Sequence, residues 1–412
     1  MGVHTSSFCK ATLFFGIFGF AAYPVALGHA KRASSFAWLS ASVYIRLRRI
    51  SGGASAMQKE RAHLHGSRLL RIFAQGCAMT NISERRVIHA GLEPDFPLLW
   101  IFKPLRIMDF AAEIAKLKKE KNAVILAHYY QIPEIQDMAD FIGDSLALAR
   151  KAVETNADII VFAGVHFMAE TAKILNPSRK VLLPDISAGC SLADACDAEE
   201  LAEMKREFPD HKVISYVNCS AKVKAISDII CTSGNALKIV ESFPKDEKIL
   251  FVPDKNLGGY INRMTGRNMK LWPGSCQIHD ILNAEKVLKL KIAKPHAKVI
   301  AHPECNAAVL EISDFIGSTA AMLNFIVQDS SQEYIVATET GILHQMQKLC
   351  PQKKFFVASN DETCPCNDCP FMKLNTVEKL YLCLRDESPE LVLSPEIIEQ
   401  ARKPIEAMLR LS

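Results

Sequence analysis

Three segments of this chain share one spacing between a polar strand end and a hydroxyl that opens a helix. His128 lies 17 residues before Ser145, Tyr216 lies 17 before Ser233, and His302 lies 17 before Thr319. The later residues sit in the short clusters Gly143-Asp144-Ser145, Thr232-Ser233-Gly234 and Gly317-Ser318-Thr319. Three matches at one spacing argue for internal triplication, which restricts the fold to three copies of one unit. Cys190, Cys276 and Cys369 close the three copies at intervals of 86 and 93 residues, each in a loop of small residues or proline.

Within each copy, short β-rich runs alternate with amphipathic stretches, the pattern of βαβ units and parallel sheets. The first copy reads as a helix over 110–119, a strand over 123–128, a helix opened by Pro133 and running through Phe141, a helix from Ser145 to Val153, a strand over 158–163, a helix over 166–175 and a strand over 180–184. The second reads as strands over 213–217, 229–230 and 249–252 with a helix over 236–241. Strands over 298–301, 334–337 and 354–358 and helices over 307–312 and 320–327 make the third. The expected α/β domains are therefore 108–190, 191–276 and 277–385, with residues 386–412 joining the first.

Charge separates this body from what precedes it. Residues 1–107 carry 14 Lys and Arg against 4 Asp and Glu, a balance of +10, whereas the rest carries 35 against 41, a balance of −6. A mildly acidic body has no electrostatic reason to bind nucleic acid, and nothing in it calls for a membrane. Within the basic stretch, the apolar run 11–27 after Lys10 resembles a signal peptide or single anchor, and the following Arg, Ser and Ala residues resemble an organelle presequence. We read 1–107 as a poorly organised extension that is untranslated, removed or disordered, because regular patterning begins abruptly at Met108. Thirteen cysteines, most of them in apolar runs, suit buried free thiols in a reducing cytoplasm rather than a disulfide scaffold.

Ligands of open parallel sheets bind at the carboxyl ends of the strands. His128-Tyr129-Tyr130-Gln131, Tyr216-Val217-Asn218 and His302-Pro303-Glu304 stand there. The Ser and Thr residues at the helix starts add free N–H groups and hydroxyls, so three anion cups are expected from their shared register, although each residue taken singly reads better as a simple N-cap. Glu304 reads either as a solvated loop carboxylate or as an acid–base group with a raised pKa, and Tyr130 either as packing or as a proton donor. The run Cys364-Pro365-Cys366-Asn367-Asp368-Cys369 is compatible with half a zinc site, an iron–sulfur ligand or a dithiol switch. If one of its thiols ligates a metal, Cys190 and Cys276 are its natural partners. Three thiolates leaving one iron free would suit a [4Fe–4S] cluster acting as a Lewis acid.

From about Met108 onward the chain resembles the bacterial quinolinate synthase family. The matching stretches are His128-Tyr129-Tyr130-Gln131, Ile142-Gly143-Asp144-Ser145, Phe162-Ala163-Gly164-Val165, Met168-Ala169-Glu170-Thr171-Ala172-Lys173, Tyr216-Val217-Asn218, His302-Pro303-Glu304-Cys305 and Cys369-Pro370-Phe371-Met372. The resemblance implies three Rossmann-like α/β domains in a pseudo-threefold arrangement around one [4Fe–4S] cluster per chain, held by Cys190, Cys276 and Cys369. It implies a transferase of NAD biosynthesis that joins iminosuccinate to dihydroxyacetone phosphate with loss of phosphate and two waters, functionally linked to the aspartate oxidase that makes iminosuccinate. Substrate binding would fall to His128, Ser145, Tyr216, Val217, Asn218, Ser233, His302, Pro303, Glu304 and Thr319. Glu304, Tyr130 and His302 would do the chemistry. Two rivals are another hydro-lyase with a three-cysteine cluster, and a metal or redox sensor built on Cys364, Cys366 and Cys369.

Overall fold

The computed structural model describes residues 108–358 and 367–412. The basic stretch 1–107 with its apolar run, and the thiols Cys364 and Cys366, lie outside the described residues.

Three four-stranded sheets have the same construction. In the first, β1 (Ala123–His128), β2 (Phe141–Gly143), β3 (Ile159–Ala163) and β4 (Lys180–Leu182) lie in the order β2-β1-β3-β4. The second sets β5 (Lys212–Tyr216), β6 (Ile229–Cys231), β7 (Ile249–Val252) and β8 (Lys270–Leu271) in the order β6-β5-β7-β8. The third sets β9 (Lys298–Ala301), β10 (Phe315–Ile316), β11 (Glu333–Ala337) and β12 (Lys354–Val357) in the order β10-β9-β11-β12. Every pairing is parallel. The chain is thus an α/β protein of three similar domains, as the triplication predicts. In each sheet the order reverses beside the first strand, and that reversal opens a crevice at the strands' carboxyl ends.

β6 covers the strand read at 229–230 and β10 of the third domain is absent from the sequence reading, whereas the second strand of the first domain replaces the end of a helix read from Pro133 through Phe141. That helix ends at Met138, and Phe141–Gly143 pairs with β1. Asp140 causes the switch. Its carboxylate accepts the Ile125 N–H at 2.8 Å while its own N–H donates to the Ile125 carbonyl at 3.0 Å, tying the chain to the strand. Asp228 does the same to Val213, and Asp314 to Val299, each carboxylate at 2.8 Å. A lysine from the preceding helix completes each anchor. Lys118, Lys205 and Lys291 face these aspartates at 2.7, 3.9 and 2.9 Å and also donate to the carbonyls of Met138, Ile226 and Ile312.

Burial on both faces explains why the strands are continuous apolar runs. β3 and β7 are buried throughout. One apolar cluster takes Leu126, Ile214 and Ile300, one from the first strand of each sheet, so the three domains share a core. At the C-terminus, Val377–Asp386 packs against Phe110–Glu120 of the first domain. Pro395–Leu411 packs against His166–Leu175 of the first domain and also against Ala221–Ala225 and β6 of the second. No helix among the described residues is long and apolar enough to cross a membrane.

Candidate active site

The crevices of the three domains open into one cavity. Its wall takes His128, Tyr130 and Ser145 from the first domain, Tyr216, Asn218 and Ser233 from the second, and His302, Glu304 and Thr319 from the third. Cys190, Cys276 and Cys369 line it too. Val217 and Pro303 are not part of this lining; both are buried, and Val217 borders a small neighbouring space.

The repeated register has a local cause. His128 ends β1, and its Nδ1 accepts the backbone N–H of Tyr130 at 3.2 Å. His302 follows β9, and its Nδ1 accepts that of Glu304 at 3.4 Å. Both imidazoles therefore carry their proton on Nε2. The His302 Nε2 lies 3.2 Å from the Ser233 hydroxyl, crossing from the third domain to the second. Burial drives both histidines down to about 3, with nearby charges adjusting the result, so they are neutral donors at working pH.

The helix-start hydroxyls sit one step away from the expected capping role. Asp144 and Ser318 are the caps, accepting the N–H groups of Ala147 and Ala321, which leaves Ser145 and Thr319 as the first helical residues. In the second domain Ser233 lies in the turn before Ala236–Glu241. The hydroxyls are thereby released from backbone capping and face the cavity.

Glu304 is a deeply enclosed carboxylate of the cavity, at 2 % exposure. Its Oε1 accepts from the Tyr216 hydroxyl and lies 3.5 Å from Asn218 Nδ2, and its Oε2 lies 2.8 Å from His279 Nδ1. Burial alone would raise its pKa, but His302, His279 and the Tyr216 hydrogen bond outweigh that and hold it well below the usual carboxylate range. The raised pKa expected from sequence is thus reversed, and the group is a carboxylate. Tyr130 has the opposite bias. Burial pushes its phenol well above the ordinary value, and its hydroxyl lies 2.6 Å from that of Thr338.

Each cysteine precedes a short helical turn: Ser191–Asp194, Gln277–Asp280 and Met372–Leu374. Two buried acids hold the last two loops. Asp254 accepts the Cys276 N–H at 3.3 Å while capping the helix Lys255–Thr265 through Leu257 at 2.7 Å. Glu339 accepts the Cys369 N–H at 3.1 Å and the Gly341 N–H at 2.7 Å, and pairs with Lys373 at 2.8 Å. Both acids stand two residues beyond the third strand of their sheets. In the first domain that place is Val165, and a backbone bond from His166 to Ala188 at 2.7 Å does the bridging. Glycine is required at 341, where a Cβ would meet the Tyr130 backbone at 2.8 Å.

The donor set suits a thiophilic metal centre. Three unpaired cysteines border one cavity, and burial raises all three thiols, Cys190 to about 12. Sulfur atoms in such surroundings ionise only against the positive charge of a metal, and soft thiolates favour zinc or iron–sulfur clusters. Backbone N–H groups of Leu192 and Ala193 beside Cys190, of His279 beside Cys276, and of Phe371 and Met372 beside Cys369 act in favour of the charged form. Cys276, His279 and Glu304 also form a compact group able to hold a metal ion.

Residues 112–410 match the profile of the quinolinate synthetase A protein family. The chain belongs to that family. A quinolinate synthase of Nostoc sp. (strain PCC 7120) is 59 % identical over 305 residues, covering 74 % of this chain and 94 % of the relative. Quinolinate synthases of Thermosynechococcus vestitus and Chloroherpeton thalassium are 59 % and 58 % identical, covering 74 % and 75 % of this chain and 96 % and 97 % of theirs. Family membership makes the chain an enzyme, in the setting of NAD biosynthesis that the sequence resemblance implies.

Sequence reasoning missed His279, Thr338, Asp254 and Glu339. His279 follows Cys276 by three residues, a spacing readable as a metal-type pair. The two acids stand at equal offsets from β7 and β11, but only the sheet topology makes those strands equivalent.

Proposed function

We propose that this enzyme condenses iminosuccinate with dihydroxyacetone phosphate to form quinolinate, releasing phosphate and two waters, as a transferase. The observation that carries the reading is the meeting, in one cavity, of one cysteine and one strand-end polar group from each of three repeats. Cys190, Cys276 and Cys369 would hold a [4Fe–4S] cluster, which when bound supplies a Lewis-acid iron favouring loss of water.

The chain's own residues do the rest. Among the described lining residues there is no Lys or Arg, so carboxylates and phosphate are held by neutral donors. These are the Nε2–H groups of His128 and His302 and the hydroxyls of Ser145, Ser233 and Thr319. Helix starts at Ser145 and Thr319 add favourable dipole ends. The buried Asn218 Oδ1 has no partner and accepts from the imine N–H. Glu304, ionised and oriented by Tyr216, takes up protons, while Tyr130 exchanges them with the substrate. Fixing both reactants between three domains supplies the proximity that condensation needs. Val217 and Pro303 would act through the backbone positions of their loops. A functional link to an aspartate oxidase, and a cytoplasmic location, belong to the same proposal.

Anaerobically prepared protein given iminosuccinate and dihydroxyacetone phosphate is expected to yield quinolinate and phosphate. Absence of quinolinate with a fully iron-loaded protein overturns the reading. The compact Cys276, His279 and Glu304 group favours a second reading, a single bound divalent ion; metal analysis giving about one zinc and no sulfide would establish it in place of the cluster.

A further inference from the structure

The first-domain helix His166–Leu175 supplies two side chains to the cavity wall, Phe167 and Met168, and also grips a loop of the second domain. Glu170, buried one turn beyond Phe167, accepts the Ala221 N–H through Oε2 at 2.8 Å. Its Oε1 faces His166 Nδ1 at 3.6 Å. Ala221 is the first residue of the helix Ala221–Ala225, which Ser220 caps by accepting the Val223 N–H at 3.3 Å. An N–H in the first helical turn has no acceptor inside its own helix, so a residue of the neighbouring domain satisfies it.

Asn218 lies just upstream, at the centre of a three-residue turn in which the Cys219 N–H donates to the Val217 carbonyl at 2.8 Å. A turn closed by one hydrogen bond takes its orientation from how its ends are held. One end is pinned within the second domain, where the Val217 N–H donates to the Cys231 carbonyl at 2.8 Å. The other end is held by Glu170 at Ala221 and by the fully buried Lys224, whose Nζ donates to the Cys219 carbonyl. Phe167 stands over that same Nζ, 5.4 Å from the ring centroid. Phe167 and Glu170, three residues apart on one helix face, thus hold the exit of the turn from across the domain boundary.

We propose that Glu170 is a positioning residue for the imine-bearing reactant: by accepting the Ala221 N–H it fixes the turn that aims the unpartnered Asn218 Oδ1 into the cavity. This rests on the reaction proposed above and on the part given there to Asn218. Glu170 itself is not among the cavity-lining residues, so it acts on the reactant through the turn. The two reactants are affected unequally, because the clamp governs the group that meets the imine N–H and leaves the helix starts at Ser145 and Thr319 untouched.

Glu170→Ala removes the acceptor, and Glu170→Gln keeps an oxygen in its place. In iron-loaded holoenzyme with iron and sulfide content equal to wild type, Glu170→Ala is expected to raise KM for iminosuccinate about tenfold, with KM for dihydroxyacetone phosphate within about twofold of wild type. Glu170→Gln should stay within about threefold of wild type for both reactants. Because the effect runs through Asn218, adding Glu170→Ala to Asn218→Ala should cost less than about threefold more. Glu170→Ala combined with Ala221→Pro removes acceptor and donor together, at a first helical position where proline fits, and leaves no unpaired buried group. That pair keeps the fold and should show the same raised KM. A wild-type KM for iminosuccinate in Glu170→Ala or in the pair, equal rises in both KM values, or full additivity with Asn218→Ala overturns the clamp while leaving the proposed reaction standing. A wild-type chain that makes no quinolinate overturns both.

Discussion

At the scale of single residues, the site works by separating the charge states of neighbouring groups. Glu304 is ionised because two imidazoles and a phenol face it, whereas His128 and His302 are neutral because burial and a backbone N–H at Nδ1 leave no room for a second proton. Glu304→Gln keeps the shape and removes the charge; we expect activity to fall by at least ~10²-fold with iron content unchanged. Near-normal turnover would remove Glu304 from the chemistry. The histidines set a pH dependence of stability. Their folded pKa of about 3 lies below the ordinary histidine value of 6.5, so between those values the unfolded chain binds more protons. Stability is complete above about pH 6.5 and falls as the pH drops toward 3, by about 1.4 kcal/mol per pH unit for each histidine. Urea midpoints followed from pH 7 to 4 should slope downward, and less steeply in His128→Asn.

At the scale of elements, one anchor recurs three times. Asp140, Asp228 and Asp314 each lie 12 residues beyond the polar strand-end position, at His128, Tyr216 and His302, and each closes the first strand onto the second through both backbone groups. Replacing any of the three by Ala should destabilise by about 1–3 kcal/mol, because a strand N–H loses its partner. Similar losses in the urea midpoints of all three variants would match the triplicate construction; a loss confined to one would contradict it. The acids beyond β7 and β11 act on the site instead. Asp254→Ala or Glu339→Ala releases the N–H of Cys276 or Cys369, so iron bound per chain should fall although the thiols remain. Unchanged iron content in both would show that the loops hold without them.

At the scale of the whole molecule, the cavity belongs to no single domain. His302 of the third domain reaches Ser233 of the second, Glu304 of the third meets Tyr216 of the second, and Tyr130 of the first meets Thr338 of the third. Each domain supplies one thiol, so Cys190→Ala, Cys276→Ala and Cys369→Ala should each abolish iron retention. Cys364→Ser and Cys366→Ser should retain it. Iron content together with the visible absorption of the five proteins reads the result, and metal retained in Cys190→Ala but lost in Cys366→Ser would favour the sensor alternative.

By itself the sequence determined the repeat, the parallel α/β class, and the residues at the strand ends and helix starts. Those features follow from local spacing, because apolar period and strand-to-helix distance are written along the chain. Tertiary structure decided the charge state of Glu304, the release of Ser145 and Thr319 from capping, the short strands beginning at Phe141 and Phe315, and the roles of His279, Thr338, Asp254 and Glu339. The capping by Asp144 and Ser318 is local, but the other features depend on partners from separate segments: Glu304 lies 88 residues from Tyr216, and Tyr130 lies 208 from Thr338. A pKa or a tautomer is a property of surroundings, and those surroundings exist only once three separately encoded domains have closed on one cavity.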